Sequence, residues 1–144
     1  MRINLQILLG VWLIPGVLMA GDVSRPAARV NSAATSVRTG SEEVGLASYY
    51  HDKYHGRQTA SGEIFDTHRL TAAHRTLPFG TIVRVTDPTS NRTVTVRIND
   101  RGPFVPGRVI DLSRAAARVL QMEPAGLTKV KVEVLATVGS RARN

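Results

Sequence analysis

Two runs of alternating apolar and polar residues flank a cluster of turn formers, and this pattern constrains the chain more than any other. In Thr81-Ile82-Val83-Arg84-Val85-Thr86 and Arg92-Thr93-Val94-Thr95-Val96-Arg97-Ile98, valines and isoleucine recur at every second position. That period belongs to strands with one buried face. Between the runs lies Asp87-Pro88-Thr89-Ser90-Asn91, whose residue types favour a tight reversal, so the two are predicted to pair as a hairpin. Val44 to Tyr50 and Lys129 to Leu135 read as further strands, and Leu70 to His74 as a short buried strand or an extended turn. One helix is expected. Ser113 caps it, Ala115, Ala116, Ala117, Val119 and Leu120 provide propensity and an apolar face, and Pro124 and Gly126 end it. About six short strands and one helix point to an all-β fold with a small added helix, a closed barrel rather than a two-sheet sandwich. The sequence has no cysteine, so core packing alone must hold the domain, and closure also removes exposed strand edges.

Outside the strand pattern the chain reads differently. Arg2 precedes an apolar stretch from Ile7 to Ala20, interrupted by glycines and Pro15, with small residues Ala20 and Gly21 at its end. This is the layout of a secretory signal peptide over residues 1–20, although Leu18 is large for its place before the cut. The stretch is shorter than the roughly 18–20 apolar residues of a membrane span; an uncleaved anchor is the alternative. Residues 21–43 lack any period and are read as a disordered linker. The folded domain is expected at 44–138 and a basic tail at 139–144.

Of the 144 residues, 19 are Lys or Arg and 11 are Asp or Glu, a formal charge of +8. Removing a leader that carries only Arg2 leaves 18 basic against 11 acidic side chains, or +7. Such a surface favours an anionic partner. Nucleic acid is disfavoured, because the arginines are scattered and aromatic residues make up 5%. For an exported protein the anionic polymer at hand is the cell wall.

Two aspartates end or nearly end apolar runs. Asp100 stands in Val96-Arg97-Ile98-Asn99-Asp100-Arg101-Gly102-Pro103-Phe104, and Asp111 in Arg108-Val109-Ile110-Asp111-Leu112-Ser113. Strand ends present reactive groups on a rigid scaffold, and two carboxylates are the minimum for acid and base work on a glycosidic bond. Asp111 follows apolar residues, which suits a partly desolvated acid; Arg101 beside Asp100 suits a charged partner or orienter. Either is a candidate acid.

Five successive motifs carry a closer likeness. They are Gly45-Leu46-Ala47-Ser48-Tyr49-Tyr50, His55-Gly56-Arg57-Gln58-Thr59-Ala60-Ser61-Gly62-Glu63, Leu70 to Gly80, Asn99 to Phe104, and Ile110-Asp111-Leu112-Ser113. In this order and spacing the chain resembles the rare lipoprotein A family of the double-psi β-barrel superfamily, over about residues 44 to 136. The resemblance implies a six-stranded double-psi barrel. It also implies septal lytic transglycosylase activity on peptidoglycan, in particular on glycan stripped of peptides. The family's functional polar positions match Glu63, Asp66, His74 and Asp100. Asp111 matches the catalytic acid of endoglucanase and lytic transglycosylase relatives. Family members often carry a lipid-attachment cysteine, and many a C-terminal glycan-binding repeat domain. Neither is expected here, so a monomer without a stable anchor after processing is expected, in the periplasm or outside the cell.

Each residue also has an ordinary structural role. Asp100 suits a turn, Asp111 a helix start, Glu63 and Asp66 a solvated loop, and His74 a hydrogen-bonded buried site. Tyr50, Tyr54, Arg57 and Arg101 are the candidate substrate contacts, with Tyr49 and Phe104 further aromatic candidates. His51, Asp52 and His55 do not fix a third ligand by spacing, so no metal and no cofactor is expected. The competing functions are an expansin-like, non-catalytic wall-loosening binder and an endoglucanase-like hydrolase.

Overall fold

The computed structural model describes residues 37–138. The predicted leader, most of the predicted linker and the basic tail lie outside the described residues. Six strands and one helix follow in order: β1 (Glu42–Tyr49), β2 (Thr71–His74), β3 (Ile82–Thr86), β4 (Thr93–Asp100), β5 (Arg108–Leu112), α1 (Arg114–Val119) and β6 (Thr128–Ala136). They close into a barrel in the order β1-β5-β2-β4-β3-β6. β1 runs parallel to β5 and β2 parallel to β4, while the other four pairings are antiparallel. This is the double-psi barrel that the sequence motifs implied. Among the described residues no helix is long and apolar enough to cross a membrane.

The predicted hairpin is β3 with β4, in the register Val83 opposite Val96 and Val85 opposite Val94. These four side chains point inward and join Ile98, Ile110, Leu112, Val130, Val132 and Val134 in one buried core. Fully burying each such side chain stabilises the fold by about 1.5–3 kcal/mol. The core is closed at one end by Ala116, Ala117, Leu120 and Met122 of α1 and the turn after it. Ser113 caps this helix as expected, its Oγ accepting the Ala116 N–H at 3.2 Å. The helix stops earlier than Pro124 would require, because Gln121 adopts a left-handed conformation at φ +55°.

Strand boundaries differ from the sequence reading at several ends. β1 starts at Glu42 rather than Val44, since Gly40 and Ser41 already bond to both sides of Val134 on β6. Residues 37–43, read as linker, thus have a partner the sequence could not reveal. β4 runs on past Ile98 through Asp100, and Asp111 lies within β5 rather than at its end.

Two bulges break the alternation. Between β4 and β2 the register steps from Ile98–Ala72 to Asp100–Ala73, leaving Asn99 as the extra residue. Between β5 and β1 it steps from Arg108–Leu46 to Ile110–Ala47, leaving Val109 extra. An extra residue re-aims the side chains beyond it. In β5 it brings Arg108 and Asp111, which a regular strand would hold on opposite faces, into contact.

The long connection from β1 to β2 contains a 3₁₀ turn at Asp52–Tyr54 and folds back on itself through Gly56 N–H to Phe65 O and Thr59 N–H to Glu63 O. Glu63 fastens it to the barrel. Its carboxylate takes both Arg97 guanidinium nitrogens at 2.6 and 2.8 Å and the Asn99 side-chain amide at 3.2 Å. The Arg97 hydrogen bonds hold its pKa at about 2, against an ordinary 4.5.

Gly45 packs its backbone against β5, and a Cβ there would lie 2.3 Å from Val109 Cγ1. Valine is stiff at χ1, so Gly45→Ala is expected to cost about 1–3 kcal/mol in chemical unfolding, and its combination with Val109→Ala to be less than additive. For Glu63 the folded-state pKa is depressed. Its stabilisation is therefore complete above pH 4.5 and lost as pH falls through about 2. The pair is 35–43% exposed, so screening limits the effect to about 1 kcal/mol or less. Urea unfolding is expected to show the native chain losing stability relative to Glu63→Gln across that interval and not above it.

Candidate active site

Ala73 of β2 is the register partner of both Asp100 on β4 and Asp111 on β5, and Asp111 is in turn the partner of Ser48 on β1. Four strands therefore line up Ser48, Asp111, Ala73 and Asp100 in one row. The two aspartate Cα atoms flank Ala73 at two interstrand spacings, about 9–10 Å. Residues far apart in the chain are placed here by parallel pairing, which no hairpin supplies.

The two carboxylates have different surroundings. Asp100 opens onto a cavity of about 290 Å³ lined also by Tyr50, Tyr54, Arg57, Gln58, Thr59 and Phe65. Its Oδ1 accepts the backbone N–H groups of Ala60 and Arg101, each at 2.8 Å, and its Oδ2 accepts the Tyr50 hydroxyl at 2.8 Å. Asp111 is buried, and its Oδ1 accepts from the Ser48 hydroxyl and the Arg108 guanidinium. Arg108 also reaches the Ser48 hydroxyl, so the three side chains form a closed triangle.

Tyr50 bonds Asp100 and feels the charge of Asp111. Burial pushes its phenol pKa well above the usual tyrosine range, with the Asp100 hydrogen bond and charge adding to it and the Asp111 charge contributing further. Its ring packs on Phe65 at 4.9 Å and meets Tyr54 edge-on at 5.6 Å. Tyr54 is exposed at the rim, with the Arg57 guanidinium 5.6 Å from its ring centre, within cation–π range. The cavity thus combines a carboxylate, aromatic side chains and a basic edge.

The other predicted site residues lie elsewhere. Arg101 does not line this cavity. Its Nη1 donates to the carbonyls of His74 at 3.1 Å and Leu77 at 2.9 Å, and its guanidinium stacks 3.9 Å over Phe79. Gly102, at φ +123°, then turns the chain away. His74 is buried at the end of β2. Its Nδ1 accepts the N–H groups of Thr76 and Leu77, and its Nε2 lies 2.9 Å from Glu43 Oε2, which assigns the proton to Nε2. The imidazole lines a second cavity, of about 360 Å³, with Glu43, Leu77, Val132 and Val134, and not the one at Asp100. Asp66 closes a local turn with the His68 N–H at 2.9 Å and lies 3.8 Å from His55 Nδ1. Glu63 does not line this cavity; its carboxylate bonds Asn99, the neighbour of Asp100.

Tyr49 packs on the core and bonds the Glu123 carbonyl, whereas Phe104 is 80% exposed. Asp52 pairs with Arg114, and His55 Nδ1 accepts the Thr67 N–H. Among the described residues no three His, Asp, Glu or Cys side chains stand together as a metal site.

Ser48, Arg108 and the Ala60 amide were not singled out from the sequence. Ser48 lies two residues before Tyr50, the spacing that puts side chains on one side of an extended chain, a usable signal. Arg108 is three residues from Asp111, and only the bulge brings them together.

Comparison with known proteins agrees with this architecture. A sequence profile of the family described as lytic transglycolase matches residues 42–132. Among curated relatives, the endolytic peptidoglycan transglycosylase RlpA of Campylobacter jejuni is 46% identical over 110 residues, covering 76% of this chain and 40% of that protein. RlpA of Pasteurella multocida is 55% identical over 91 residues, covering 63% of this chain and 31% of that protein. A probable RlpA of Nostoc is 56% identical over 104 residues, covering 71% and 28%. The chain therefore spans well under half the length of these relatives. Among solved structures, a Streptomyces papain inhibitor superposes with a TM-score of 0.56 at 25% identity, over 68% of this chain and 97% of that one. An expansin of Clavibacter michiganensis superposes with a TM-score of 0.53 at 22% identity, over 67% and 51%. The expansin shares the fold alone. With the profile spanning the barrel and relatives of about half identity along it, this chain belongs to the RlpA family of lytic transglycolases.

Proposed function

We propose that this chain is an endolytic peptidoglycan lytic transglycosylase. It cleaves the bond between MurNAc and GlcNAc in glycan strands, stripped of peptides by preference, and leaves 1,6-anhydro-MurNAc ends. The observation that carries the reading is the row that sets Asp100 and Asp111 either side of Ala73, with Asp100 facing an aromatic cavity. Membership of a family whose curated relatives are named for this activity supports it.

The chemistry divides between the two carboxylates. In the acid form, the Asp100 carboxyl gives its proton to the glycosidic oxygen. The C1–O bond breaks with its electron pair going to the departing GlcNAc hydroxyl. The Asp100 carboxylate then takes the proton of the MurNAc 6-hydroxyl as that oxygen bonds to C1. No water is consumed and the acid is regenerated. The cation-like sugar between the two steps gains from fixed negative charge nearby. Asp111, tied to Arg108 and Ser48, is the held charge, whereas Asp100 is the group open to the cavity. Tyr54 and Arg57 at the rim bind the sugar. Glu63 and Asp66 shape the covering loop, and His74 supports the β2 end whose carbonyl holds Arg101.

The leader read in residues 1–20 suits export to the envelope where peptidoglycan lies, and the basic surface suits its carboxylate-bearing strands. The protein acts there as a monomer without a cofactor.

Purified denuded glycan incubated with the protein is expected to yield anhydro-MurNAc ends by mass spectrometry. Reducing ends would mark a hydrolase, and no products a binder. Asp100→Asn is expected to cut the rate by about 10²–10⁴-fold, with a smaller loss for Asp111→Asn. Native-level release by the Asp100 variant would remove it from the mechanism.

A further inference from the structure

We infer that Tyr50 is the positioning residue for Asp100: its hydroxyl, rather than its ring face, serves the reaction by holding one carboxylate oxygen in place. The inference rests on the role proposed for Asp100. A stacking role is the obvious reading of a tyrosine in a sugar cleft, but the ring is already engaged by Phe65 and Tyr54. Its backbone is fastened as well, the Tyr50 N–H bonding the Leu112 carbonyl at 2.9 Å. Leu112 follows Asp111 on β5, so Tyr50 is anchored to one carboxylate's strand while its hydroxyl reaches the other carboxylate.

The direction of that hydrogen bond is set by its surroundings. Burial and two nearby carboxylates keep the proton on the phenol, so Tyr50 donates to Asp100. When Asp100 gives its proton to the leaving oxygen, the new carboxylate meets three donors already in place: the Tyr50 hydroxyl and the N–H groups of Ala60 and Arg101. Preset donors aimed at developing charge need no rearrangement at the moment of reaction. No proton passes to or from Tyr50 in either step. It fixes the orientation of Asp100 and stabilises the charge that Asp100 acquires.

Tyr50→Phe keeps the ring and its packing and removes only the hydroxyl. On denuded glycan it is expected to lower kcat by about 10–100-fold, the range for losing one hydrogen bond to a charged group, with KM within about twofold and the thermal melt close to native. A raised KM at unchanged kcat would assign the hydroxyl to binding substrate and overturn the inference; native kinetics, the result expected if only the ring served by stacking, would overturn it too. NMR of the Tyr50 hydroxyl proton tests the contact without relying on that variant. In the native chain that proton is expected to be protected from solvent exchange and to lose protection in Asp100→Ala; equal exchange in both would overturn the contact. If Asp100→Asn stays fully active, the reading of Asp100 fails. If that variant is inactive while Tyr50→Phe is unimpaired, only the role of Tyr50 falls.

Discussion

Everything at this site depends on β2 being paired on both sides, to β4 in parallel and to β5 antiparallel. That places Ala73 between Asp100 and Asp111. The requirement reaches into residue choice. A small side chain at position 73, wholly buried, leaves room between the two carboxylates. The strand itself is buried along all four residues, so its register is set by packing on both faces. A slip of one residue would send its side chains to the opposite faces and set a different β2 residue between the two acidic groups.

The bulges at Asn99 and Val109 are the second level of control. A barrel of strictly alternating strands would hold Arg108 and Asp111 on opposite faces. It would also set Asp100 beside His74 rather than Ala73. One added residue in each of two strands reverses both outcomes. The same bulge buries Asn99, whose amide reaches Glu63 and so ties the covering loop to the strand that carries Asp100. The Asn99 bulge thus bears on the site geometry and adds one bond to the loop anchor that Arg97 supplies. The barrel tolerates it because every strand remains paired on both edges.

The environments of the two carboxylates differ, and the different tasks proposed for them rest on that difference. Asp111 sits against a guanidinium and a hydroxyl inside the wall, and Asp100 sits under neutral donors at the cavity. His74 shows the limit of arguing from shared motifs. The resemblance implied a functional position for it, yet its ring faces Glu43 and a separate cavity, and its carbonyl bonds Arg101, the neighbour of Asp100. Position in a motif and position at a reacting atom are different properties.

Much of this was legible in the residues alone. Alternation in Thr81–Ile98, the turn formers between, the Ser113 cap and the valine-rich final strand determined the β3–β4 hairpin, α1 and β6, because these are local rules acting over a few residues. The motifs also marked both aspartates. Other features depended on contacts between distant segments. The early start of β1 needed Val134, and the turn of Arg101 toward carbonyls needed the β2 end. The hydrogen bond from Tyr50 to Asp100 needed the barrel closed around both. Sequence determines which residues can form a strand and which carry acid chemistry, since propensity and functional groups are properties of short segments. Tertiary structure alone decided which acids share a wall and which partner each one meets, because parallel pairing and bulges join residues that no local period relates.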